Sequence, residues 1–119
     1  MIQGLGIDIT EINRVWQAAQ RTAGFVARVL TPSELEQFNH YQQQRQKEYL
    51  AGRFSAKESF TKALGTGIGK VGFQDLSILN NPQGKPYIQQ QVFLGSVFVS
   101  ISHTKDYVFT EVILEKRVD

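Results

Sequence analysis

Arg53-Phe54-Ser55-Ala56-Lys57-Glu58-Ser59-Phe60-Thr61-Lys62-Ala63-Leu64 closes the longest helix that the sequence predicts, from about Gln44 to Leu64. Leu50, Phe54, Ala56, Phe60, Ala63 and Leu64 give that helix its apolar faces. Gly52 inside it costs about 1 kcal/mol relative to alanine, so another element is expected to approach closely there. Gly65, Gly67 and Gly69 then end the helix in a flexible loop.

On the N-terminal side, Gln42 to Gln46 reads as a solvated helix start. Thr31-Pro32-Ser33-Glu34 is a capping box with proline at the first helical position, followed by a short helix carrying Leu35 and Phe38. Phe25 to Leu30 forms a shorter piece, set off by Gly24. Glu11 to about Gln20 predicts a helix whose buried stripe is Ile12, Val15, Trp16 and Ala19. Ile2 to Ile9 predicts a strand with Ile7 and Ile9 on one face and Gly6 and Asp8 on the other. Gly4 and Gly6 share the face of Asp8 and leave room for something to approach the backbone.

On the C-terminal side, Phe73 to Leu79, Pro86 to Gln91, Val97 to Ser102 and Tyr107 to Glu115 predict strands. Asn80-Asn81-Pro82-Gln83-Gly84 is a turn between the first two. Val97, Val99 and Ile101 alternate inward. Helices thus fill the first half and a mainly antiparallel sheet the second, with Ile2 to Ile9 as an extra strand. The fold class is α+β, and 119 residues suit one domain, 1–119.

Composition excludes several chemistries. There is no cysteine, hence no disulfide, thiolate metal site or cysteine nucleophile. No stretch approaches the ~18 consecutive apolar residues of a membrane span, and the N-terminus does not read as a signal peptide, so no membrane and a cytoplasmic location are expected. A net charge of +2 allows an acidic partner but lacks the dense basic stripe of a nucleic-acid binder. Gly65 to Lys70 fails as a P-loop, because position 64 is leucine and position 71 valine, and because it follows a helix. Gly4 and Gly6 lack the third glycine of a dinucleotide fingerprint. His40 and His103 have no second metal ligand at local spacing, so zinc catalysis is not expected.

Two segments carry the chemistry: Gly4-Leu5-Gly6-Ile7-Asp8-Ile9, and the run from Arg53 to Gly67. Glu58 and Lys62 are four apart and share a helix face, and Ser55 and Ala51 continue the stripe toward the N-terminus. Small residues there would leave a groove with a carboxylate and an ammonium at its floor. Asp8 lies between apolar neighbours on a strand, so its carboxylate must find a partner or a cation. Two carboxylates beside a phosphate suit Mg²⁺, and a lysine can balance the phosphate charge. Glu–Lys pairs at this spacing are ordinarily solvated surface pairs, so spacing alone assigns nothing.

Gly6-Ile7-Asp8, and Phe54-Ser55-Ala56-Lys57-Glu58-Ser59 with Lys62, resemble the two signature motifs of the phosphopantetheinyl transferases. Gly65-Thr66-Gly67, Gly84-Lys85-Pro86 and Val99-Ser100-Ile101-Ser102-His103 extend the resemblance, in order, over almost the whole chain. The length resembles the short carrier-protein synthase branch. The resemblance implies that Asp8 and Glu58 ligate Mg²⁺ and that Lys62 neutralises the pyrophosphate of coenzyme A. A carrier-protein serine then attacks the phosphorus bearing the pantetheine, and adenosine 3′,5′-bisphosphate leaves. Glu58, or a water held by it and the metal, is the base. Gly65 and Gly67 would close a loop on the phosphates. Pro86 would lie on the adenine side, and Arg53, His103 and Thr104 would be candidates for the 3′-phosphate.

The short branch also implies a homotrimer with each site shared across a subunit boundary, with Phe98 and Phe109 available to face neighbours. The acyl carrier protein would dock on Arg14, Arg21, Phe25 and Arg28, with charge steering the encounter. Two departures from the family's pattern are visible. Thr22, Ala23 and Gly24 stand where further basic residues are common, and Phe109-Thr110-Glu111 where small ones are usual. A non-catalytic module binding a nucleotide or an acidic carrier is the alternative, and a nucleic-acid-binding domain a more distant one.

Overall fold

The computed structural model describes residues 1–66 and 70–117. Its elements follow the capping and patterning signals closely. They are β1 (Ile2–Glu11), α1 (Ile12–Arg21), α2 (Phe25–Val29), α3 (Pro32–Asn39), α4 (Gln43–Leu64), β2 (Leu76–Asn80), β3 (Pro86–Gln90), β4 (Gly95–His103) and β5 (Tyr107–Lys116). The Thr31 hydroxyl accepts from the Glu34 amide and the Glu34 carboxylate accepts from the Thr31 amide, so α3 starts on a complete capping box. Gly65, with φ 87°, ends α4 in the left-handed conformation that favours glycine.

Strands β1, β5 and β4 pair antiparallel in that order, with Gly6 opposite Val112, Asp8 opposite Thr110 and Ser102 opposite Phe109. β2 and β3 form a separate antiparallel hairpin. Helix α4 crosses the inner face of the larger sheet and packs against β1 and β5. Gly4 and Gly6 make that possible. A Cβ at Gly4 would run into the Ala63 carbonyl, and one at Gly6 into the Ser59 carbonyl. The two hydrophobic clusters take in successive stretches of α4. One gathers Ile12, Val15, Val29, Leu30, Leu50 and Val108, and the other Phe60, Val71, Leu76, Val112 and Leu114.

Between Tyr49 and Thr61, α4 is buried on most of its circumference, charged residues included. The Lys57 ammonium is fully buried and donates to Glu34 Oε1 at 2.6 Å, Val29 O at 2.7 Å and Phe73 O at 2.9 Å. Glu34 also accepts from the Thr31 amide on Oε1 and the Ile78 amide on Oε2. One ion pair therefore joins α2, α3, α4 and β2. Burial pulls the Lys57 pKa below the ordinary lysine value, and the Glu34 carboxylate opposes that pull.

Two expectations need correction. The strand predicted from Phe73 starts only at Leu76. Phe73–Asp75 is a 3₁₀ turn, because Asp75 Oδ2 accepts from the Gly72 amide at 2.8 Å and bends the chain. Gly52 does not mark a forced approach. A Cβ there would meet only Ile101 Cγ2 at 3.5 Å, an ordinary contact.

The outer face of the larger sheet is apolar and uncovered in the single chain. Leu5, Ile7 and Ile9 are about 60% exposed, Phe98 is 55% and Phe109 40%.

Candidate active site

The pleat of β1 turns Gly4, Gly6, Asp8 and Thr10 toward α4. Asp8 meets a ring of donors there. Its Oδ2 accepts from Thr10 Oγ1 at 2.6 Å and from Ser55 Oγ at 2.8 Å. Its Oδ1 lies 3.1 Å from Lys62 Nζ, which also donates to Ile7 O at 3.1 Å. Behind them, Ser55, Ser59 and Thr110 share hydroxyl contacts of 2.6–2.8 Å. The small side chains of α4 thus serve as hydrogen-bond partners of the sheet.

Glu58 lies one turn before Lys62 and is half-buried. Among the described residues, no side-chain hydrogen bond or ion pair holds its carboxylate. Its pKa is raised, first by burial and then by the Asp8 charge, with Lys62 opposing. Asp8, Glu58 and Lys62 are therefore brought together. Among the described residues no three His, Asp or Glu side chains gather at one point. A pair of hard carboxylates, one of them without a side-chain partner among the described residues, fits a small divalent ion that completes its shell with water and phosphate oxygens.

A second group forms around the N-terminal half of α4. Arg53, Pro86 and His103 line a cleft of about 220 Å³ together with Arg45, Glu48 and Asn80. Arg53 is buried. It donates from Nε to Ile78 O at 2.8 Å and from a terminal nitrogen to Asn80 Oδ1 at 2.9 Å, with its guanidinium over the Tyr49 ring. His103 Nδ1 is 3.9 Å from Glu48 Oε2. The sequence reading missed Arg45. The signal available was its position two helical turns before Arg53, on the same face.

The remaining residues are placed as follows. Thr104 lies in the β4–β5 turn, where its hydroxyl accepts from the Tyr107 amide at 3.1 Å, and it does not line the cleft. The Gly65 amide donates to Thr61 O at 2.8 Å, so what Gly65 contributes is the left-handed turn. Gly67 lies outside the described residues. Arg14, Arg21 and Arg28 are exposed on α1 and α2. Phe25 is half-buried and belongs to an aromatic row that sequence reasoning did not find. Phe25 stacks on Phe54 with ring centroids 6.5 Å apart, Phe54 stacks on Phe73 at 5.5 Å, and Arg28 lies over Phe25. Phe54, Glu58 and Lys62 follow one another at four-residue intervals along α4, so the row runs toward the acidic pair.

An α4 laid across an antiparallel sheet, with an acidic pair and a lysine where β1 meets it, defines the class. The chain belongs to the 4′-phosphopantetheinyl transferase superfamily, whose sequence profile matches residues 4–112. The holo-(acyl-carrier-protein) synthase of Lacticaseibacillus casei is 53% identical over 98% of this chain and 94% of its own length. That of Latilactobacillus sakei subsp. sakei is 54% identical over 98% and 99%. The crystal structure of a holo-(acyl-carrier-protein) synthase from Bacillus anthracis in complex with CoA (3′,5′-ADP) superposes with a TM-score of 0.91 at 41% identity, covering 98% of this chain and 99% of that one.

Proposed function

We propose that this chain transfers the 4′-phosphopantetheine group of coenzyme A to a serine of apo-acyl carrier protein, releasing adenosine 3′,5′-bisphosphate, and that residues 1–119 act as one module. The observation that carries this reading is the meeting of Asp8, Glu58 and Lys62 at the crossing of β1 and α4. Asp8 and Glu58 would hold Mg²⁺, which when bound draws charge from the pyrophosphate. Lys62, half-exposed at the rim, is free to swing its ammonium from Asp8 to the diphosphate. The serine oxygen forms the new bond to phosphorus, and the bond from that phosphorus to the bridging oxygen of the leaving bisphosphate breaks. The serine proton passes to Glu58 or to a water that Glu58 orders. Burial makes the Glu58 carboxylate a stronger base than an ordinary one.

The cleft of Arg53, Pro86 and His103, with Arg45, suits the nucleotide end of coenzyme A, because two arginines and a histidine line one space against the single carboxylate of Glu48. The acidic carrier would dock on Arg14, Arg21 and Arg28 around the Phe25–Phe54–Phe73 row, with polar steering outside and an apolar seat inside. Among the described residues no helix is long and apolar enough to cross a membrane.

The test is direct. Apo-acyl carrier protein of fatty acid synthesis incubated with the protein, magnesium and coenzyme A should gain the mass of phosphopantetheine, and a chelator should prevent it. Binding of coenzyme A without any mass gain across several carriers would overturn the reading in favour of a non-catalytic module.

The same proposal includes a homotrimer that buries the outer face of the β1–β5–β4 sheet and completes each site across a boundary. Five large apolar side chains on one face are more than a lone chain ordinarily leaves to water. Ile9→Glu tests it. Ile9 is 61% exposed, so the single chain tolerates a carboxylate there. The variant should sediment as a monomer and lose at least about tenfold in turnover, the expected result of burying an unpaired charge among copies. An unchanged oligomer with unchanged turnover would remove the sheet face from the assembly.

A further inference from the structure

The 3₁₀ turn Phe73–Asp75 is fastened to α2, and one exposed side chain makes the fastening. Helix α2 has five residues, too few to persist on its own hydrogen bonds. Its closing carbonyls are satisfied largely from elsewhere. Val26 O accepts from the Leu30 amide at 2.9 Å, and Val29 O accepts from Lys57 Nζ at 2.7 Å. The two between them, Ala27 O and Arg28 O, accept from Gln74 Nε2 at 2.9 and 3.1 Å. The same nitrogen reaches Leu30 O at 2.9 Å. Two amide hydrogens are thus shared among three carbonyls that together mark the end of α2.

Gln74 follows Phe73 in the 3₁₀ turn. Phe73 stacks on Phe54, Phe54 on Phe25, and Phe25 begins α2. The contacts therefore close a ring: α2, the three aromatic rings, and Gln74 back to α2. Each member fixes the others. Among the described residues no hydrogen bond of Gln74 reaches Asp8, Glu58 or Lys62, so the ring bears on the surface that receives the partner and not on the reacting groups.

We propose that Gln74 is a positioning residue for the carrier protein: by tying off the carbonyl end of α2 it presets Phe25 and Arg28 in the arrangement an acidic protein partner meets. This rests on the docking reading above. Without the tie, α2 and its arginine would have to order at each encounter, and that cost falls on partner binding.

Gln74 is exposed, so Gln74→Ala should leave the core intact. In the full-length protein, the KM for apo-acyl carrier protein should rise about five- to tenfold, while kcat at saturating carrier and the KM for coenzyme A stay within about twofold. Calorimetric titration of apo carrier into the protein without coenzyme A should show the same weakening. Gln74→Glu should weaken it further, because a carboxylate would face three carbonyls with nothing to donate. Phe25→Ala and Arg28→Ala run alongside. If these raise the carrier KM and Gln74→Ala does not, the positioning role is wrong and the docking reading stands. If none of the three alters it, docking lies elsewhere and both fall. If Gln74→Ala lowers kcat and the melting temperature together and leaves the carrier KM unchanged, Gln74 is structural only.

Discussion

Glu58→Ala removes phosphopantetheine transfer and leaves the protein at least as stable as before. The two halves of this expectation have one cause. Glu58 has no side-chain partner among the described residues, is held half-buried, and is pushed toward its neutral form by burial and by Asp8. Deleting it breaks no bond and removes a repulsion, so stability should hold or rise. The same unpartnered carboxylate is what a divalent ion and an attacking hydroxyl would use. Its loss should lower kcat/KM about 10³-fold, or roughly 4 kcal/mol of barrier. Asp8→Ala behaves differently. Asp8 accepts from Thr10 and Ser55 and pairs with Lys62, so that variant loses activity and also about 1–2 kcal/mol of stability. Steady-state rates, thermal melts and Mn²⁺ binding by electron paramagnetic resonance separate the cases. A Glu58→Ala protein with full turnover, or with unchanged Mn²⁺ affinity, ends the metal assignment.

The sequence made some of this legible and hid the rest for physical reasons. Local signals read correctly: the Thr31 capping box, the glycine that ends α4, and the alternation that puts Asp8 on the face of Gly4 and Gly6. Each depends on residues within one or two turns. What was missed depends on partners far along the chain. The sequence offers Arg53 as a candidate for the 3′-phosphate but not its burial against β2, because Ile78 O and Asn80, which accept from it, lie 25 and 27 residues away. The aromatic row joins three segments, and no spacing rule connects Phe25, Phe54 and Phe73. The start of β2 slipped by three residues because apolar Phe73 reads as strand, whereas the Asp75 carboxylate folds that stretch back on Gly72. Gly52 was misread because helix propensity prices a glycine without saying what surrounds it.

Lys57→Met should be the most damaging single change to stability, although Lys57 is the immediate neighbour of Glu58 in the same motif. Successive helix residues point about 100° apart, so Glu58 faces Asp8 and Lys62 while Lys57 turns away from them toward Val29, Glu34 and Phe73. Removing the ammonium leaves the Glu34 carboxylate buried with a lost counter-charge, and Val29 O and Phe73 O without their donor. Breaking a buried pair on one side costs about 3–5 kcal/mol. That is a large share of the about 5–15 kcal/mol by which a domain is ordinarily stable. Adding Glu34→Gln should return part of the loss. The glutamine oxygen still accepts from the Thr31 amide and the unpaired carboxylate charge is gone, but the Ile78 amide then meets an NH2 group and loses its acceptor, so the return is only partial. Urea titration of the two variants decides the matter. A Lys57→Met protein as stable as the parent would mean that the ammonium contributes nothing net to the fold. A double variant no better than the single would place the cost in the two orphaned carbonyls and not in the charge. Within one motif, then, Lys57 sustains the fold that Glu58 weakens, and a helix can hold an ill-paired carboxylate at its surface because the residue before it is so completely paired beneath.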